Sequence, residues 1–132
     1  MRDTSMNITS FGHAAIKVRD LDASEAFYCG VLRMPVVMRF PQQSERGFGV
    51  GTSSHFLVQA VGADAPAPDE RTLGVHHVAF VVGNNPAALD EAARHLDRHR
   101  IDYQRVAHEE YESVYCRDPD GHLIELYYWP SW

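Results

Sequence analysis

Three residues of this chain could hold a metal ion together: His13, His77 and Glu125. Two imidazoles and one carboxylate give a divalent cation three donors and leave its other positions open. That arrangement is typical of non-haem Fe(II) oxygenases. His13 and His77 open two stretches of the same form, His13-Ala-Ala-Ile-Lys-Val and His77-Val-Ala-Phe-Val-Val. Glu125 stands inside Leu-Ile-Glu-Leu-Tyr-Tyr, where an ionised carboxylate is costly to bury unless something neutralises it. A metal cation would do so. Each of the three residues taken alone has a plainer reading as a core histidine or a solvated acid. It is the repeat-matched placement that argues for a site.

The elements that must position them follow from periodicity. Residues 12–18 alternate and carry β-branched side chains, which predicts a strand. Asp20 and Asp22 precede an amphipathic stretch, with Ala23, Ala26, Phe27 and Val31 on one side, which predicts a helix over 23–32. Strands are predicted over 35–40, 47–52 and 55–61, and a Pro-, Ala- and charge-rich linker over 62–74. The order then starts again. A strand is expected over 77–82, and Asn85-Pro86 opens a helix to about His99. Three strands follow over 103–107, 113–117 and 122–128, the last two separated by the turn Asp118-Pro119-Asp120-Gly121. The repeat predicts an α+β fold in one domain. Two paired βαβββ modules, residues 8–62 and 74–132, are expected to pack together. Alternation places His13 with Ala15 and Lys17, His77 with Ala79 and Val81, and Glu125 with Leu123 and Tyr127.

Composition narrows the function. Apolar residues make up 45% of the 132, enough for a packed interior. Net charge is 12 − 18 = −6 without a basic run, so neither nucleic acid nor an anionic membrane is an expected partner. No apolar run has the length of a membrane span, and the first residues lack a signal-peptide core. Cys29 and Cys116 have neither metal nor redox spacing and read as buried thiols of a reducing compartment. A cytoplasmic enzyme or binding protein is the expectation.

From residue 11 to 129 the chain resembles the vicinal oxygen chelate superfamily. The markers are His13 with Val18-Arg19-Asp20-Leu21, Phe27-Tyr28, His77-Val78-Ala79-Phe80, and Asp118-Pro119-Asp120-Gly121-His122-Leu123-Ile124-Glu125. This likeness implies that the two modules form a curved mixed sheet around a metal site. The run Val106-Ala107-His108, Val114-Tyr115, Asp118-Pro119, Gly121 and Glu125 is similar to the signature of type I extradiol ring-cleavage dioxygenases. That resemblance implies a metal held by His13, His77 and Glu125, with Fe(II) as the ion and Mn(II) also suited to the ligand set. It implies a small catecholic aromatic and O2 as substrates. It implies catalytic roles for His55 and His108 as proton-transfer groups, and for Tyr115 as the residue holding a substrate oxygen. It also implies a homodimer, with the metal site either within one subunit or shared, His13 then coming from one copy and His77 and Glu125 from the other.

Other branches of the superfamily remain as alternatives. A glyoxalase- or epimerase-like lyase draws a further ligand from the end of the first module, where Val58 is the expected match to Glu125 and cannot ligate. A fosfomycin-resistance-type thiol transferase needs a cationic cluster; Lys17, Arg33, Arg39 and Arg117 form no recognisable motif. A metal-free drug-binding protein would not need the triad. Of the remaining histidines, His76 and His122 are expected to face away from the site. His95 and His99 read as part of a solvated basic helix face. Tyr127, Tyr128, Trp129 and Trp132 could wall a ring pocket, or serve the core or a subunit contact.

Overall fold

The computed structural model describes residues 6–40, 47–51 and 56–130. The first module runs β1 (Ala14–Val18), α1 (Leu21–Glu25), a π-helical segment (Ala26–Val31), β2 (Val36–Phe40), β3 (Gly47–Val50) and β4 (Phe56–Ala60). The second runs β5 (Val78–Gly83), α2 (Pro86–Arg98), β6 (Tyr103–Ala107), β7 (Glu112–Arg117) and β8 (Leu123–Tyr128). Each module is βαβββ, and the two repeat one topology. The curved mixed sheet takes the form of two four-stranded sheets, ordered β1-β4-β3-β2 and β5-β8-β7-β6. In each, the first strand lies parallel to the last, and the remaining pairs are antiparallel.

The first helix departs from expectation. Asp20 caps it, its carboxylate accepting from the amides of Asp22 and Ala23 at 2.9 and 3.2 Å. After Glu25, however, the α-helix gives way to the wider π-helical turn, marked by the Leu32 amide donating to Phe27 O at 2.9 Å. The segment buries two adjacent residues, Phe27 and Tyr28, in the core. The second helix follows its sequence signals. Asn85 Oδ1 accepts from the Ala88 amide at 3.1 Å, Pro86 stands in the first turn, and Leu89, Ala93 and Leu96 form the buried stripe.

Alternation decides which way each sheet faces. Ile16, Val18, Phe48, Val50, Phe56 and Val58 of the first module join Val114, Cys116, Ile124 and Leu126 of the second in one core around the helices. Residues of opposite parity, including Ala15, Lys17, Ala79 and Glu125, lie on the faces turned away from that core. Both cysteines are free thiols, Cys116 buried and Cys29 half-buried. Burial, and then the charge of Asp118, pushes the Cys116 thiol up to about 11.

Specific bonds lock the two modules together. Tyr28 donates to Asp118 Oδ2 at 2.7 Å in the buried seam. His122 Nε2 donates to Lys17 O at 2.7 Å, and Arg19 pairs with Asp120 at 3.4 Å. Asp118 also organises its own turn, its Oδ1 accepting from the amides of Asp120 and His122. Gly121 closes that turn at φ +90°, a conformation side-chain-bearing residues rarely adopt. Burial, reinforced by the Asp118 charge, holds the Tyr28 phenol protonated well above the ordinary tyrosine value. Tyr28→Phe leaves Asp118 Oδ2 without its partner and is expected to cost about 2 kcal/mol of stability. Urea denaturation reads this directly, and a loss below about 0.5 kcal/mol would remove the seam bond from the stability argument.

Candidate metal centre

Glu125 lies mid-strand on β8, across from Ala79 of β5 and Tyr115 of β7. The small side chain of Ala79 leaves one flank open, and Tyr115 covers the other. The carboxylate is nearly fully buried, so its two oxygens need partners. Oε1 lies 3.1 Å from His77 Nε2. Oε2 accepts a short hydrogen bond from Ser113 Oγ and lies 3.9 Å from His108 Nε2. Tyr115 OH is 3.3 Å from His108 Nε2. Four of the residues named from sequence therefore come together: His77, His108, Tyr115 and Glu125.

The electrostatics suit a site that gathers positive charge. Burial raises the Tyr115 phenol, and the nearby Glu125 carboxylate raises it further, so this hydroxyl keeps its proton and can donate. The same two causes raise Tyr111. Beyond His108 the wall is aromatic. Tyr111 stacks against His108 at 4.6 Å between ring centres, and lies 5.4 Å from Tyr127 and 5.3 Å from Trp129. On the other side of His77 a cleft of about 610 Å³ is lined by Leu73, His76, Arg117, His122 and Leu123. A second cavity of about 660 Å³ lies against α2, Phe80 and Leu126, on the opposite face of β8 from Glu125. Its floor is apolar, its rim carries Arg33, Glu91 and Arg98, and it lies apart from the carboxylate.

His13 does not join this cluster within one chain. It precedes β1, is exposed, and makes no hydrogen bond or ion pair among the described residues. No three His, Cys, Asp or Glu side chains among them form a set arranged to hold an ion. His55 lies outside the described residues. The geometry of the pair that does meet fits a shared ion. Donors each about 2.1 Å from one cation and at right angles lie about 3.0 Å apart, and His77 Nε2 and Glu125 Oε1 are 3.1 Å apart.

Three sequence readings need correction. His76 does not point away from His77. Both precede β5, where alternation has not begun, and their Nδ1 atoms are 2.9 Å apart. The first-module counterpart of Glu125 is Leu57 rather than Val58, because Leu57 pairs with Ala15 as Glu125 pairs with Ala79. Leu57, like Val58, cannot ligate. His95 is not part of a solvated face, since it is half-buried and its Nε2 donates to Val31 O at 2.6 Å, while His122, just before β8, donates to Lys17 O and borders the cleft beside His77. Ser113 was not among the residues singled out from sequence. It shares the strand face of Tyr115, but only the β7–β8 register brings it to Glu125.

Comparison with known proteins places this geometry. Residues 10–126 match the profile of the Glyoxalase/Bleomycin resistance protein/Dioxygenase superfamily. Catechol-2,3-dioxygenase of Bacillus subtilis (strain 168) is 28% identical over 119 residues, covering 90% of this chain but only 41% of that protein. An uncharacterized Escherichia coli (strain K12) protein, YaeR, is 29% identical over 126 residues, covering 87% of this chain and 92% of its own. The crystal structure of lactoylglutathione lyase from Agrobacterium tumefaciens shares the fold, with a TM-score of 0.69 at 24% identity over 96% of this chain and 98% of that one. The chain belongs to the glyoxalase, bleomycin resistance protein and dioxygenase superfamily, also called the vicinal oxygen chelate superfamily.

Proposed function

We propose that this protein is a metal-dependent dioxygenase that opens a small catecholic ring with O2, using Fe(II), or Mn(II) in its place. The observation that carries the reading is the joint placement of His77, Glu125, Tyr115 and His108. Two ligand-type donors sit 3.1 Å apart, with a tyrosine–histidine pair beside them. A divalent ion there supplies open positions for the two vicinal oxygens of a catechol and for O2. His77 and Glu125 would hold it, and His13 of the partner subunit would complete the set. A homodimer then follows, because neither copy assembles all three ligands by itself.

The chain's own groups supply the rest. The Tyr115 hydroxyl, on the strand beside Glu125 and 3.3 Å from His108 Nε2, is placed to donate to a substrate oxygen. His108 Nε2 is close enough to that hydroxyl to pass a proton to or from it. Tyr111, Tyr127 and Trp129 present aromatic faces on the same side, suited to a flat ring. The lyase reading is supported by fold alone, and it lacks a ligand at Leu57.

The test loads the protein anaerobically with Fe(II), adds a panel of simple catechols, then admits O2. Ring-opened product, seen as a yellow absorbance with matching O2 uptake, is the expected result. Turnover of a hemithioacetal, or of a thiol with an epoxide, in place of every catechol would overturn the reading.

A further inference from the structure

We propose that Ser113 is a positioning residue for Glu125, fixing which carboxylate oxygen faces the ion. The inference rests on the metal reading above and goes beyond it by assigning a residue outside the ligand set.

Ser113 is fully buried on β7 and pairs with Tyr127 of β8, while Tyr115 pairs with Glu125. Ser113 and Glu125 are therefore diagonal neighbours on one sheet face, close enough for side chains to meet. A hydroxyl buried this deeply must find an acceptor, and Ser113 Oγ finds Glu125 Oε2. The bond divides the work of the carboxylate. Oε2 is held by Ser113, and Oε1 is turned to His77 Nε2.

The division matters because a carboxylate can bind a cation through one oxygen or two. Held at Oε2, Glu125 offers a single oxygen, and the positions that a catechol and O2 require stay free. Released, it can turn about its terminal torsion, which has a broad preference. It then samples orientations that bind weakly or occupy a second position. Outer partners of ligating carboxylates act in this way on metal affinity.

Ser113→Thr and Ser113→Val add the same methyl group and nearly the same volume, and differ only in the hydroxyl. Titration with Co(II), followed by visible absorption, gives affinity and coordination in one experiment. Thr is expected to bind within about threefold of wild type, and Val to bind about 10-fold or more weakly with an altered band pattern. Both metal-free proteins should fold, with Val melting below Thr because Glu125 Oε2 has lost its hydrogen-bond partner. If the added methyl prevents folding, Ser113→Ala set against wild type makes the same comparison, with the same 10-fold weakening expected. Equal affinities and spectra for Val and Thr, or for Ala and wild type, would overturn the role of Ser113 while leaving the metal reading in place. Failure of the wild type itself to bind Co(II) would overturn both.

Discussion

Glu125→Ala is expected to lower metal affinity by more than about 100-fold while the metal-free fold survives. The magnitude follows from comparison: losing an outer partner of a ligand costs about 10–100-fold, so losing a ligand should exceed the top of that range. Survival of the fold follows from the local balance. The substitution removes a buried carboxylate, whose burial is itself unfavourable, but strands Ser113 Oγ, at about 1–3 kcal/mol. These effects oppose one another. Nothing in the Tyr28–Asp118 seam depends on Glu125. His77→Ala should match it in metal loss, since it removes the other half of the pair. Metal content after dialysis against Mn(II) or Fe(II) buffer, read beside circular dichroism of the metal-free protein, separates binding from folding. A folded Glu125→Ala protein with wild-type metal content would remove the carboxylate from the site.

How much of this was legible in the sequence depended on where local rules governed. The strand Tyr103–Ala107 was legible to the residue because the helix end before it and the charged loop after it delimit a short stretch with strand-forming Tyr and Val. The helix Pro86–Arg98 was legible because Asn85 caps it and its apolar stripe keeps the helical period. The π-helical segment was not, since the period of Ala23, Ala26 and Phe27 reads as ordinary helix, and the widening shows only in three dimensions. His76 was misread because the alternation rule was applied outside the strand, which begins at Val78. The pairing of Glu125 with His77 was legible from two periodic patterns and a repeat. Ser113 was overlooked because a lone serine in a strand resembles any polar strand residue until the β7–β8 register sets it diagonal to a buried acid. The placement of His13 apart from His77 and Glu125 had no local signal. It comes from the seam, where Tyr28, Arg19 and His122 bind module to module and leave the faces that carry Ala15 and Glu125 turned away from the shared core.

That outward arrangement leads to the second large effect, complementation between two inactive variants. In a shared site, the His13 of one subunit serves the His77 and Glu125 of the other. His13→Ala homodimers have no complete site, and neither do Glu125→Ala homodimers. In a mixed dimer, one site contains both substitutions and the other contains neither. Random exchange of equal amounts makes about half the dimers mixed, with one intact site of two, so about a quarter of wild-type metal content and activity should return. Each variant by itself should show almost none. The experiment unfolds and refolds the two proteins together, with separately refolded proteins combined afterwards as the control. A site built within one subunit gives no recovery under any mixing, because every copy then lacks one of its own ligands. The seam favours recovery. With Tyr28 bound to Asp118 and Phe56 packed on Phe80 at 5.3 Å, each chain's modules are committed to each other through the core. His13, exposed at the start of β1, is then free to meet the Glu125 face of a second copy. Zero recovery from well-folded mixed dimers would mean that His13 is not the third ligand, or that the ion is held within one chain.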